Sequence, residues 1–515
     1  MTDSREPFYI TTAIDYVNGK PHLGHAYEKI ATDVIARYKR RMGFDVHFLT
    51  GLDEHGMKVA RTAEKAGQEP QAFVDELAEH FVKAYDGLDI SYDDFIRTTE
   101  ERHARGVIAL LERIRERSPG DLYEGKYEGW YCVGCEAYKT DKDLVEGKCP
   151  EHPSLEASWV EEKNLFFRLS AYEDFLRQQI ADDPSVIEPS SRRNEIVSVI
   201  EGGLEDISIS RPNLPWGIPI PFHPGSTVYV WFDALSNYIT GLGFGQGEDD
   251  ATRFDRYWPA DVHIIGKDIT RFHCVIWPAM LQAAGLALPK MVHAHGWVTM
   301  KGLKQSKTLG NVVEPLDAVE KVGADPLRFY LMTEVTYGKD GDFSWERFET
   351  AYNARLANEY GNLVSRTLNM TSKYWGQIPA TDGLLDEVRT TVEDAVAGYH
   401  EAMDGLYLTR AQDHAREIVG SMNALIQERE PFRMAKDPDQ GPALAALLAS
   451  ICEAIRVATH LMWPVMPGKC AEVLRRLGCE DELQRPLTEV CAFGQLRAGT
   501  PVEKGKPLFP RLTAT

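Results

Sequence analysis

The sequence lacks an uninterrupted apolar run long enough to cross a bilayer. Its longest, 443–452, stops at Glu453 and is half of the roughly 20 residues a spanning helix needs, so it reads as a core-facing helix. Residues 1–8 mix acidic and basic groups without the apolar stretch of a secretory signal, and a cytoplasmic location is expected. Positive charge is also scarce. Lys and Arg number 57 against 78 Asp and Glu, a formal charge of -21. So acidic a chain has no diffuse attraction to a polyanion, because sequence-independent nucleic-acid binding rests on cations neutralising phosphates. Any nucleic-acid contact must come from a local basic patch. Cysteine is sparse, eight in 515 residues, which argues against a disulfide framework in a chain without a signal. Three of the eight fall within 132–149, and that cluster points to a metal. Internal repeats and low-complexity tracts are missing too.

What is present can fill several cores: 43% hydrophobic residues over 515 positions imply two to four domains. Residues 8–13 read as a buried strand, Asn18, Gly19 and Pro21 as a turn, and a long helix starts near His22. Ala26, Ile30, Val34 and Tyr38 give that helix a buried face, and Gly43 is a natural stop. Residues 46–50 read as the next parallel strand. Further strands at 228–233, 263–266 and 292–295, each near helical pattern, favour an α/β fold with a doubly wound parallel, Rossmann-like sheet. Between about 122 and 227 the cysteine cluster, many aromatics and a Pro-rich run at 211–224 mark an insertion. From about 345 onward the pattern is helical, with long helices predicted at 352–374, 386–403, 409–428 and 443–461, hence an all-α bundle.

Two short motifs carry chemistry. His22 and His25 lie three positions apart at a helix start, so both rings face one way; Gly24 between them allows close ligand approach. Backbone amides and the helix dipole there favour a phosphate, and imidazoles can donate to phosphate oxygens as charge builds in a transition state. The second motif places Lys304 and Lys307 in a glycine-flanked loop, where two ammoniums can clamp a triphosphate. Singly, these are also the marks of ordinary helix-start histidines and a solvated lysine loop. Together, in this order and about 280 residues apart, they resemble the HIGH and KMSKS motifs of class I aminoacyl-tRNA synthetases. Leu23, Gln305 and Thr308 depart from the family pattern, and altered loop rates are expected there.

The stretches Ala13-Ile14-Asp15-Tyr16-Val17-Asn18-Gly19, Asp53-Glu54-His55-Gly56, Tyr229-Val230-Trp231-Phe232-Asp233-Ala234 and Ile265-Gly266-Lys267-Asp268 resemble methionyl-tRNA synthetases in particular. The resemblance implies that Asp53 holds the substrate ammonium, a buried ion pair that an α-amino acid satisfies. It places Ala13, Ile14, Tyr16, Trp231, Leu235, Tyr238, Ile269 and His273 around the side chain, with Leu235 standing where the family usually has Pro. Aromatics suit a polarizable thioether, although on a strand they are equally plain core. The same resemblance puts Gly266, Lys267 and Asp268 at the ATP ribose, Gly296, Trp297 and Val298 beside adenine, and His22, Gly24, His25, Lys304 and Lys307 at the phosphates, with Mg2+ accompanying ATP. Asp268 could also cap the helical segment that follows.

Cys132-x2-Cys135-x13-Cys149-x2-His152 has the ligand spacing of a closed, structural Zn2+ knuckle. The insertion is too small for a hydrolytic editing domain. In the helical part, the resemblance makes Asn362 and Arg366, one turn apart, and Phe432 readers of the tRNA(Met) anticodon, Phe432 by stacking; plain core is the other reading of Phe432. The implied division is 1–120 and 227–290 for the two halves of the catalytic domain, 121–226 for the connective insertion, 291–348 for a stem-contact region with the lysine loop, and 349–515 for the anticodon-binding domain. No further dimerising domain follows, so a monomer is expected. The rival readings are a small-molecule nucleotidylyltransferase with a similar His pair and a non-catalytic tRNA-binding paralogue.

Overall fold

The computed structural model describes residues 5–132, 137–139, 141–150, 156–212, 214–304 and 312–512. Strand β1 (Pro7–Thr12) runs into the short β2 (Asp15–Tyr16), and the chain then turns at 17–22 into helix α1 (Leu23–Arg41). The helix forms where the four-residue apolar spacing begins. Lys39, Arg40 and Arg41 occupy its last turn, where the dipole favours cations, and Gly43, at φ 93°, takes the left-handed turn that ends it.

Strand β3 (Asp45–Asp53) pairs in parallel with β1, with β2 and with β4 (Asp94–Arg97). On the other side of β1 lie the strands Val262–Gly266, Val292–His295 and Ile187–Glu188, in that order and also parallel. Chain order therefore reverses at β1. In such sheets the ligand crevice opens at the carboxyl ends of the strands beside the reversal, here formed by residues 12–16, 53–56, 266–268 and 295–296.

The stretch 228–233, expected as a strand of this sheet, is not one. Ser226–Val228 pairs antiparallel with Ser210–Pro212, and Val230–Leu235 is helical. Val, Tyr, Trp and Phe favour strands, but tertiary contacts override that preference: Asp233 turns inward to His55 and His103 while Phe232, Ala234 and Leu235 pack in the core. Residues 122–212 contain a long antiparallel ribbon, Leu122–Cys132 against Ser158–Phe167, flanked by Ala137–Lys139 and Ile207–Ser208. The span is not wholly separate, because its Ile187–Glu188 forms the edge of the parallel sheet.

After the sheet come the three-stranded unit Val298–Met300, Leu303–Lys304 and Gly341–Phe343 and then the bundle. The helix predicted at 352–374 begins as a π-helical segment, Tyr352–Gly361, and continues as Asn362–Tyr374. Asp386–Asp404, Leu408–Arg429 and Gly441–Met462 follow. By length and composition one helix among the described residues, Pro438–Met462, could cross a membrane, but 94% of its apolar window is buried in the protein and it contains the buried Glu453–Arg456 ion pair, 2.6 Å. It is the core of the bundle.

Bundle and sheet meet at Arg328, which is fully buried on Ala324–Thr333. Its guanidinium reaches Asp33 of α1 at 2.6 Å and donates to the carbonyls of Leu88, Pro464 and Val465.

Candidate active site

The paired histidines are built into the start of α1. His22 is the N-cap: its Nδ1 accepts the Gly24 amide at 3.0 Å, while the His22 amide donates to His25 Nδ1 at 3.1 Å. The rings stack with centroids 3.9 Å apart. Because both Nδ1 atoms accept, each neutral ring carries its hydrogen on Nε2, the donor an anion requires. Gly24 has a local reason beyond ligand approach: a Cβ there would lie 2.8 Å from the His22 ring.

The methionine-side candidates gather at the carboxyl ends of the strands and on the helices behind them. Tyr16 pairs with Asp53 in the β2–β3 register, and the Asp53 side chain is buried. Ala13 donates its amide to Ile264 O, and Ile14 packs on the core beside β1. Trp231 is half-buried and stacks on Phe272, centroids 3.7 Å apart. Leu235 and Tyr238 are buried. His273 Nδ1 lies 3.0 Å from the Ile269 carbonyl, and its Nε2 lies 2.6 Å from the Tyr238 hydroxyl. The carbonyl accepts only, so the ring hydrogen sits on Nδ1 and Tyr238 donates to Nε2. Burial pushes the His273 pKa down to about 4, leaving an uncharged wall suited to a thioether.

On the nucleotide side, Lys267 Nζ pairs with Asp340 at 2.7 Å and lies 4.2 Å from the Trp297 ring centre. The Trp297 amide donates to Asp340, and its indole to Asp268 at 3.2 Å. Asp268 is exposed, and Gly266 stands at the N-cap of the Lys267–Ile269 turn; the segment is not one continuous helix, since 3-10, π and α turns succeed one another. A Cβ on Gly296 would meet the Lys339 carbonyl at 2.2 Å. Gly266 is partly buried at the end of its strand, and Val298 is buried.

Several buried groups escaped the sequence reading. Asp233 lies between two imidazoles, His55 Nδ1 at 2.7 Å and His103 Nε2 at 2.6 Å, and His103 reaches on to Thr240. This joins the end of β3, next to Asp53, to the helix carrying Trp231 and Leu235. Glu28, Lys29 and His295 form a second network. The quoted stretches 53–56 and 229–234 contained two of these residues, but nothing local marked His103, Glu28 or His295.

Neutral buried imidazoles imply acid sensitivity. His273, His293 and His460 are each pushed by burial to about 4, against an unfolded value near about 6.5. The unfolded chain binds the extra protons between these values, so stability is fully present above about 6.5 and falls as pH drops toward 4. Urea midpoints measured from pH 7.5 to 4.5 should decline through this window; a flat profile would count against these protonation states.

Other candidates lie apart. Lys304 sits on the short strand Leu303–Lys304, and Gln305, Lys307 and Thr308 lie outside the described residues. Cys132 and Cys149 are each 1% exposed, while Cys135 and His152 also lie outside them. The other five cysteines, Cys274, Cys452, Cys470, Cys479 and Cys491, are buried thiols without disulfides. Arg366 donates to Asn423 Oδ1 at 2.6 Å, on the helix that leads to Phe432, itself 52% exposed, and Asn362 is exposed. Phe432 is thus not core.

The reversed parallel sheet and the helical bundle that follows it are those of a class I tRNA synthetase. A family model described as "tRNA synthetases class I (M)" matches residues 8–158 and 153–368, and one described as "Anticodon binding domain of methionyl tRNA ligase" matches 379–515. The methionine–tRNA ligase of Thermotoga maritima is 44% identical, covering 98% of this chain and 80% of that protein, and that of Bacillus subtilis is 41% identical, covering 100% and 79%. Mycobacterium tuberculosis methionyl-tRNA synthetase in complex with methionyl-adenylate superposes with a TM-score of 0.93 at 40% identity, covering 98% of this chain and 100% of that one. The chain belongs to the methionyl-tRNA synthetase family.

Proposed function

We propose that this chain joins L-methionine to tRNA(Met) in two steps, through methionyl-adenylate, in cytoplasmic protein synthesis. The observation that carries the reading is convergence: the carboxyl ends of β1, β3, Val262–Gly266 and Val292–His295 meet at the start of α1, where His22 and His25 are stacked. In the first step a methionine carboxylate oxygen attacks the α-phosphorus of ATP and diphosphate leaves with the bonding pair. The carboxylate is already ionised near neutrality, so no general base is needed. Catalysis is positioning and stabilisation of phosphoryl charge, assigned to His22, Gly24, His25, Lys304 and Lys307, with Mg2+ accompanying ATP. In the second step a terminal-adenosine hydroxyl of tRNA displaces AMP.

Asp53 takes the substrate ammonium, and Ala13, Ile14, Tyr16, Trp231, Leu235, Tyr238, Ile269 and His273 surround its side chain. Gly266, Lys267 and Asp268 take the ribose; Gly296, Trp297 and Val298 flank adenine. Asn362, Arg366 and Phe432 contact the anticodon. The division at 120/121, 226/227, 290/291 and 348/349, and a monomeric state, belong to the same reading. Methionine-dependent ATP–pyrophosphate exchange tests it: His25→Ala and Lys307→Ala should each slow exchange at least about tenfold, roughly 1.4 kcal/mol, and full exchange in folded variants refutes the assignment. A nucleotidylyltransferase would have no use for a bundle matching an anticodon-binding domain.

The donor set at the ribbon tip suits Zn2+. Cys132 and Cys149 are buried in an arm whose Val145 and Trp159 are 63% and 58% exposed, and soft thiolates beside a Cys and a His make a four-ligand closed set. Bound there, zinc would cross-link an arm with little core of its own. Metal analysis of the purified protein should find about one zinc per chain, lost in Cys132→Ser; a metal-free parent protein rules the site out.

A further inference from the structure

Behind the histidine pair, a buried charge network ties both halves of the crevice to α1. Glu28 and Lys29, within the turn after His25, are buried. Lys29 Nζ donates to the Ala13 carbonyl at 2.9 Å, to Asp15 Oδ1 at 2.8 Å and to Glu28 Oε1 at 2.9 Å. Asp15 also accepts the Tyr85 hydroxyl. The second Glu28 oxygen, Oε2, lies 2.9 Å from His295 Nε2. His295 Nδ1 lies 2.8 Å from the carbonyl oxygen of Gly296.

Both ring nitrogens of His295 thus face oxygen acceptors. A neutral imidazole has one N–H and would set a lone pair against one of these oxygens. The Glu28 carboxyl does not supply the missing hydrogen: burial pushes its pKa up, but Lys29 and His295 reverse this and hold it at about 2. The ring thus bridges α1 and the end of the Val292–His295 strand through both of its nitrogens. The other groups around the ring are the Tyr27 face at 5.4 Å, edge-on, and His293 two residues earlier on the strand. Burial and then the neighbouring His295 push His293 down to about 4.

We propose that His295, bridging Glu28 and the Gly296 carbonyl, is a positioning residue for ATP: it clamps the Gly296–Val298 backbone to the helix that carries His22 and His25. The clamp sets the distance between the nucleotide base and the phosphate-facing rings. It rests on the placement of adenine beside Gly296, Trp297 and Val298. Lys29, through Ala13, fixes the methionine side to the same helix, so α1 is the common reference for both substrates.

Two variants separate the ring's two contacts. In His295→Asn the amide nitrogen stands near the Nδ1 position and the link to Glu28 is lost. In His295→Gln it reaches the Nε2 position and the link is kept. Loss of a buried hydrogen bond to a charged group should raise the ATP KM of His295→Asn in pyrophosphate exchange about tenfold or more. The methionine KM should stay within about twofold, and His295→Gln within about threefold of the parent for both substrates. Equal rises in both KM values overturn the proposal, as does an unchanged ATP KM in His295→Asn. A parent without methionine-dependent exchange would instead refute the functional reading on which the proposal rests.

Discussion

Asp53→Asn should raise the methionine KM in pyrophosphate exchange by roughly 100-fold or more while leaving the ATP KM within about threefold. Asp53 is 5% exposed, at the last position of β3, paired in register with Tyr16. An ammonium drawn into such a place is stabilised only if a carboxylate meets it. Removing one member of a buried pair leaves an uncompensated charge, which costs about 3 to 5 kcal/mol. Asn keeps the shape and an acceptor oxygen but not the charge, so the loss reports the ion pair. The neighbouring His55–Asp233–His103 contacts hold the end of β3 in place and should keep the variant folded. A rise below about tenfold in a folded variant would mean that the ammonium is held elsewhere.

Arg328→Ala should destabilise the protein by about 3 to 5 kcal/mol at pH 7. The substitution leaves three buried carbonyls, those of Leu88, Pro464 and Val465, without their guanidinium donor, and leaves Arg37, at 2.7 Å, as the remaining cation on Asp33 beside the Ser91 amide and hydroxyl. Burial pushes the Asp33 carboxyl up, but Arg328 and Arg37 more than reverse this, and its pKa lies below the usual carboxylate value. A depressed carboxylate contributes stability that is present above the unfolded value, near about 3.9, and is lost as pH falls through the lower folded value. The difference in urea midpoint between parent and variant should therefore be large at pH 7 and shrink as pH falls below the unfolded carboxylate value. Because Arg328 joins α1 to the turn that ends Gly441–Met462, the variant should also unfold in two resolved steps. A single transition at the parent's midpoint refutes the role.

The elements legible in the sequence were those whose cause is local. Helix α1 followed from Ala26, Ile30, Val34 and Tyr38 with Gly43 as stop, and the bundle helices from long apolar periodicity. The same local logic failed at 228–233, where strand-forming side chains sit on a helix because Asp233 is bound by partners 178 and 130 residues away in sequence. Spacing at a helix start marked His22 and His25 as candidates and the resemblance marked Asp53, but neither indicated the direction in which their rings and carboxylate are held. That His22 and His25 cap the helix through Nδ1 depends on ring orientation, which spacing does not determine. Arg328 and Asp33, 295 positions apart, left no trace in any window. Such buried charge partners are defined by tertiary proximity alone.

The capping role of the two histidines changes what that residue type is for. Imidazole is a rigid spacer with an acceptor at one end and a donor at the other, and here the accepting end of each ring is engaged with the helix start. Asn at position 22 could still cap the helix, since its short side chain reproduces the accepting end, yet it would present nothing outward. Gln would reach outward but is too long to cap. Helix formation and the proposed anion contact thus fall to opposite edges of one planar group, and a variant that preserves the secondary structure while abolishing the outward donor is chemically available at this position.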